Sequence, residues 1–177
     1  MYYTCHYQSP LGGITMACDE EGLTGLWFDG QKYFGSGFLK EADPENREEK
    51  ETVPGNEQKK PPVLAQAEEW LDLYFADFTP PLHLTVSDFR LAVWKLLLEI
   101  PYGQTTTYKE LARRISEQNG GRFMSAQAAG GAVGHNPVSI IVPCHRVLGT
   151  DGSLTGYAGG IEKKRRLLEL EGITFSR

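Results

Sequence analysis

Residues 139–147, Ser-Ile-Ile-Val-Pro-Cys-His-Arg-Val, set Cys144 beside His145 at the end of an apolar run. Cysteine is readily turned into a nucleophile, and it reacts as the thiolate. A histidine nearby can take the thiol proton or pair with the anion as imidazolium, so the two types together suit nucleophilic transfer. Ile140, Ile141 and Val142 read as a buried β-strand that Pro143 brings to an end. Successive strand side chains face opposite ways. A working Cys144–His145 pair therefore needs the strand to stop there, or a bridging water. The plain alternative is a buried structural cysteine, the usual fate of a lone one.

The elements around this pair read as mostly helical. Residues 88–100 form an amphipathic pattern with Asp88 as N-cap and Pro101 as stop. Thr107 precedes a second helix, with Glu110 three residues on as a capping box. A third candidate, residues 125–137, is rich in Ala and Gly. Its Gly130–Gly131 pair costs roughly 1 kcal/mol per glycine in helix stability, so something must require a small surface there. The last helix, residues 162–172, is closed by Gly172. Helix, turn and helix within 107–135 resemble a helix-turn-helix, with Lys109, Arg113, Arg114 and Arg122 available to phosphates. Ordinary packing through a small-residue face is the competing reading.

The first half has another texture. Residues 2–28 read as two or three antiparallel strands with turns at 9–13 and 19–22. Residues 41–62 are charged and proline-rich, a long exposed loop. A helix follows with Leu64, Ala67, Trp70, Leu71, Tyr74 and Phe75 on one face, and 78–86 reads as a proline-broken return strand or linker. The boundary between an N-terminal domain, residues 1–85, and a C-terminal domain, residues 86–177, falls where the charge changes sign. Residues 1–89 carry 6 Lys and Arg against 16 Asp and Glu, and residues 90–177 carry 12 against 7. The basic half suits a polyanion, or a solvated helix face.

Three cysteines at irregular spacing argue against a disulfide framework and for a reducing compartment, so the expected location is cytoplasmic. The start lacks the pattern of a secretory signal, and no apolar run approaches bilayer length, so no membrane association is expected. Cys5, His6, Cys18 and His83 are metal-ligating types without a paired spacing, so no metal is expected. His135 reads as a surface or phosphate-contacting residue, and Trp27, Trp70 and Trp94 as core.

The sequence Pro-Cys-His-Arg-Val at 143–147, preceded by Gly-His-Asn-Pro at 134–137 and followed by Gly-Tyr-Ala-Gly-Gly at 156–160, resembles the active site of the O6-alkylguanine-DNA alkyltransferases. The likeness covers the second half from residue 89 to 172, and residues 9–23 match the family's first strands more loosely. The resemblance implies an α/β fold of two units: a small antiparallel sheet with a helix, ribonuclease-H-like, then a mostly helical domain carrying a helix-turn-helix and the cysteine. It implies cofactor-free, irreversible transfer of an alkyl group from O6 of guanine to Cys144, once per molecule. His145 would act through a water, oriented by Glu171, and Tyr108 would hydrogen-bond or protonate the departing guanine. Val147 and Cys144 carbonyls would read the exocyclic amine, while amides of Ala158 and Gly159, with Tyr157 in the same loop, would line the base. Ala158 stands where the family has serine. Asn136 would brace the turn into the active-site segment, and Arg146 would be structural.

The same resemblance implies double-stranded DNA as partner, approached by the minor groove, and a monomer. Ala128 and Gly131 of the Ala/Gly-rich helix and Arg113 join the expected DNA-facing set. One departure is evident: Gln127 occupies the position of the arginine that the family inserts into the duplex, and the preceding connection, 116–125, is longer than usual. Arg122 on that connection is a candidate stand-in. Three alternatives follow: a family member impaired in flipping bases from duplex DNA, a non-enzymatic DNA-binding sensor or regulator, and a cysteine hydrolase. Cys144, His145, Tyr108 and Glu171 together argue against a pure binder, and nothing supplies an evident oxyanion site for the hydrolase.

Overall fold

The computed structural model describes residues 2–35, 60–73, 82–83 and 86–176. Most of the predicted loop 41–62, and Tyr74 and Phe75, lie outside the described residues. The chain opens with an antiparallel meander of β1 (Tyr3–Ser9), β2 (Gly12–Cys18) and β3 (Leu23–Phe28), in that spatial order. Its turns are made by side chains that capture backbone amides. Ser9 Oγ accepts from Leu11 N at 3.1 Å, and Asp19 Oδ1 accepts from Glu21 N at 2.9 Å and Gly22 N at 3.0 Å. Helix α1 (Pro62–Leu73) buries Leu64, Ala67 and Leu71. Of the predicted return strand, Leu82 makes a single parallel bridge to Leu23.

The second half is helical: α2 (Asp88–Leu98), α3 (Tyr108–Gln118), α4 (Ala126–Gly134) and α5 (Ile161–Leu170). A short parallel pair, β4 (Thr106–Thr107) with β5 (Val147–Leu148), brings the start of α3 beside the segment after Cys144. Two cap expectations change. Ser87, not Asp88, is the N-cap of α2 and makes no side-chain cap bond, so Asp88 sits in the first turn, where its charge suits the helix dipole. The capping box at α3 is half made. Thr107 accepts from Glu110 N at 3.1 Å, whereas the Glu110 carboxylate turns to Arg113 at 2.7 Å. The α3–α4 connection, 119–125, exceeds the short turn of a helix-turn-helix. Tyr108 lies against α4 at Gly130, where a Cβ would stand 3.4 Å from Tyr108 Cδ1, an ordinary van der Waals contact that does not itself demand glycine.

The predicted strand at Ile140–Val142 is a compact turn. Asn136 Oδ1 accepts from Val138 N at 3.0 Å, Ile140 adopts φ 71°, and the amides of Ile141, Val142 and Cys144 bond to nearby carbonyls. A short apolar run has the same composition whether its backbone is satisfied by a ladder or locally, so its pattern could not separate the two. Val138, Ile140, Ile141 and Val142 are buried all the same.

Only residues 137–139 of this segment reach the sheet. Leu26 N donates to Pro137 O at 2.7 Å and Ser139 N to Leu26 O at 2.8 Å, so the free edge of β3 is covered by the other half of the chain. Gln31 locks the seam. Its Oε1 accepts from Phe28 N at 3.1 Å and from Ser139 Oγ at 2.8 Å, all buried. One apolar cluster runs through both halves, from Ile14 and Met16 through Leu64 and Trp94 to Val138 and Leu167. Removing the shared acceptor strands two buried donors. Gln31→Ala should therefore lower unfolding free energy by about 2 kcal/mol, read by urea denaturation; an unchanged midpoint would rule out the seam as a stabilising contact.

Candidate active site

Cys144 opens a 3-10 turn, Cys144–Arg146, that follows directly on Pro143. Three residues per turn replace the opposite-facing alternation of a strand, so neighbours 144 and 145 are no longer forced to opposite sides. Asn136, the buried residue just past α4, reaches into this turn with both ends of its amide. Its Nδ2 donates to Val142 O at 2.7 Å and to Cys144 Sγ at 3.1 Å. The cysteine is thus held from the α4 side by Asn136, the residue expected to brace this turn.

His145 is fully buried, and its Nε2 meets Glu171 Oε1 at 2.6 Å. Glu171, the C-cap of α5, also accepts from Arg146 Nε at 2.8 Å and from Gly103 N at 3.2 Å. Arg146 continues to Ile100 O at 2.7 Å. These donors hold the Glu171 carboxyl down at about 2 against the burial that opposes them. Burial lowers the His145 imidazole, against the pull of Glu171. The resting pair is therefore carboxylate and neutral imidazole. With Glu171 ionised, Nε2 carries the proton and Nδ1 is the basic nitrogen.

Cys144 is 4% exposed, and burial raises its thiol. The Asn136 bond, the Lys164 charge and the backbone amides of Cys144 and His145 oppose that rise. A neutral base beside a protonated thiol can accept its proton as the sulfur attacks, and Glu171 then stabilises the imidazolium. The thiol is closed to bulk water.

Lys164 is the residue that sequence reasoning missed. It reads as part of a solvated Lys-Lys-Arg-Arg run, yet it is fully buried on α5. Its Nζ donates to Val147 O at 2.6 Å and Thr155 O at 3.0 Å, and lies 5.9 Å from the Tyr108 ring centroid. Burial lowers its ammonium to about 8. The available signal was helical phase, since Lys164, Leu167 and Leu168 fall at i, i+3 and i+4 and are all buried.

Tyr108, first residue of α3, places its hydroxyl 3.5 Å from Gly156 O. Burial raises that phenol, so it is a proton donor at neutral pH. Val147 lies in β5 and spends one carbonyl lone pair on Lys164. Tyr157, Ala158 and Gly159 form the loop leading to α5, all partly buried. A Cβ at Gly159 would stand 2.8 Å from the Tyr157 ring and 3.0 Å from Phe28, so only glycine fits. Ala158 O accepts from Lys32 N at 3.0 Å, tying this loop to the first half.

The residues expected to face DNA divide. Gln127, Ala128 and Gly131 are exposed together on α4, and a Cβ at Gly131 would meet nothing within 4 Å. Arg122 is exposed on the loop before α4. Arg113 is exposed on α3 but engaged with Glu110 and Glu117. His135, which caps α4, stacks on Tyr33 with ring centroids 4.1 Å apart. In the first half His83 pairs with Asp19 at 2.5 Å.

A buried thiol bonded to Asn136 and an imidazole bonded to a carboxylate, set in a helical unit with an exposed small-residue helix, suit a protein that uses one cysteine as nucleophile. The model of the 6-O-methylguanine DNA methyltransferase DNA-binding domain matches residues 88–173, and that of the ribonuclease-like domain matches residues 1–84. Methylated-DNA–protein-cysteine methyltransferase of Mycobacterium tuberculosis is 41% identical over 94% of this chain and 92% of its own length. The protein of that name from Methanosarcina acetivorans is 40% identical over 97% and 99%. A crystal structure of Mycobacterium tuberculosis OGT in complex with DNA superposes with a TM-score of 0.70 at 38% identity, covering 95% of this chain and 91% of that one. The chain belongs to the methylated-DNA–protein-cysteine methyltransferase family.

The depressed Glu171 carboxyl has a consequence for acid stability. A carboxyl whose folded value lies below its unfolded one stabilises the fold above the unfolded value, and the contribution is lost as pH falls toward the folded one. Relative to Glu171→Gln, the native protein should lose on the order of 2–3 kcal/mol of its advantage between about pH 4.5 and pH 2. Unfolding midpoints at several pH values measure it; a gap independent of pH would show that the carboxylate is not ionised there.

Proposed function

We propose that this chain repairs O6-alkylated guanine in DNA by moving the alkyl group to Cys144, once per molecule and without a cofactor. The observation that carries the reading is the buried Cys144 thiol on Asn136, next to a His145 oriented by Glu171, in a chain of this family. In the step proposed, His145 takes the thiol proton through a water. The sulfur attacks the alkyl carbon in line, a C–S bond forms and the C–O6 bond breaks. The electron pair passes into the guanine ring, and Tyr108 hydrogen-bonds or protonates it as it leaves. The Val147 and Cys144 carbonyls hold the exocyclic amine, and the Ala158 and Gly159 amides face O6, with Tyr157 beside them. A thioether offers water no ready leaving group, which accounts for a single turnover.

DNA approaches α4 by its minor groove, and the damaged nucleotide must be flipped out, at a cost of a few kcal/mol. Small residues at Ala128 and Gly131 permit close approach. Gln127 can hydrogen-bond the orphaned cytosine but adds no charge, and Arg122 supplies one close by. Arg113 would have to leave Glu110 and Glu117 to reach a phosphate, which is inexpensive for exposed pairs. We take the working unit as a monomer. Free Cys5, Cys18 and Cys144 suit a reducing, cytoplasmic setting. Gln127 also favours a second reading, in which the chemistry is intact and duplex flipping is weak.

Intact mass after incubation with duplex DNA containing one O6-methylguanine tests the main reading. One added methyl, saturating at one per chain and absent in Cys144→Ala, is expected; no adduct from duplex or from free O6-benzylguanine would favour a DNA-binding sensor. Gln127→Arg should raise the ratio of duplex to free-base reactivity on the order of tenfold, and Arg122→Ala should lower it. An unchanged ratio in Arg122→Ala would remove Arg122 from this role.

A further inference from the structure

Phe123 is 85% exposed, more than any other large apolar side chain among the described residues. Its position is nevertheless well defined. On one side, Gly120 and Gly121 turn the chain at φ 67° and 85°, with Gly121 N bonded to Ser116 O at 2.8 Å and Gly120 N to Glu117 O at 3.3 Å. On the other, Met124 packs against the core and Ser125 caps α4 by accepting from Ala128 N at 3.1 Å. With Met124 directed inward and its neighbour fully outward, the loop presents a phenyl ring just ahead of the exposed Ala126, Gln127 and Ala128. An exposed aromatic on a pinned loop costs water structure and brings no packing in the free protein. A partner with flat apolar faces would change that.

We propose that Phe123 is the stacking wedge of this protein, filling the gap in the DNA stack when a guanine is drawn out toward Cys144. The inference rests on the alkyl-transfer reading above and adds to it a residue that Gln127 makes necessary. Minor-groove proteins open base steps with apolar side chains, phenylalanine among them. Stacking an aromatic ring on a base is independent of sequence, as a repair protein requires. Gln127 offers a hydrogen bond to the orphaned base but neither charge nor an aromatic face, so a ring four residues before it supplies what it lacks. Arg122, next to Phe123, is exposed and placed for the flanking phosphate. The excess of Lys and Arg in residues 90–177 favours DNA on this side, while the acidic first half disfavours it.

The test uses the full chain in a Cys144→Ala background, which binds without reacting, and a duplex with 2-aminopurine beside O6-methylguanine. Phe123→Ala should lose most of the fluorescence change on binding, and Phe123→Trp should keep it. In the protein with Cys144 present, Phe123→Ala should slow methyl transfer from the duplex by roughly tenfold or more, and Phe123→Trp should restore it. Equal fluorescence change and equal duplex rate for Phe123→Ala and its parent would overturn the wedge. Reaction with free O6-benzylguanine reports pocket and fold in each variant. If the unsubstituted protein reacts with neither the free base nor the duplex, the alkyl-transfer reading falls, and the fluorescence arm still decides on Phe123.

Discussion

The buried carboxylate of Glu171 is the contact on which the site depends. It joins three distant stretches of the chain: the end of α5 that carries it, the 3-10 turn through His145 and Arg146, and the loop after α2 through Gly103 N. A buried charge is tolerable only when paired and fully hydrogen-bonded, and each donor here belongs to an element that the site must hold. Arg146 extends the lattice to Ile100 O, so the C-terminus of α2 is drawn in as well. Gly103, at φ 73°, has its own small space beside the Glu171 backbone, where a Cβ would come to 3.5 Å. The imidazole is therefore oriented by the same carboxylate that closes the helical half.

Around that hub the surroundings pull the thiol in opposite directions. Burial raises Cys144, while Asn136, Lys164 and two backbone amides offset some of the rise. Lys164 also spends its ammonium protons on Val147 O and Thr155 O, which fastens the turn after the cysteine to the loop facing Tyr108. One side chain thus serves both electrostatics and geometry. Under the proposed single transfer, a closed thiol is kept from stray alkylation or oxidation that would consume it.

The first half of the chain belongs to this arrangement and is not an appended module. The edge of β3 pairs with 137–139, Gln31 bonds Ser139, and Lys32 N bonds Ala158 O. Tyr33, at φ 63°, holds a backbone conformation unusual for a side chain of its size and stacks on His135 at the end of α4. The helix proposed to meet DNA is thereby supported at its C-terminal end by the sheet domain. Its N-terminal end is set by the loop that carries Phe123.

Sequence by itself determined the sheet meander with both turns, the existence of the helices and, through the family resemblance, the pairing of His145 with Glu171. These depend on local signals: hydrophobic period, Asp and Ser turn chemistry, Gly172 after a helix, and a motif dense enough to assign a family. Gly130 was legible as a puzzle that its one near neighbour, Tyr108, does not explain, since a Cβ would fit beside the ring. Tertiary structure alone decided that Ile140–Val142 is a turn, because its amides find partners set by Asn136 and the sheet edge, which apolar composition does not encode. It alone decided that Lys164 is buried and bonded to two carbonyls, since a lysine in a basic run has the same local pattern whether or not the fold closes over it. It alone seated Gln31 in the seam and left Phe123 bare, because burial is settled by residues distant in sequence.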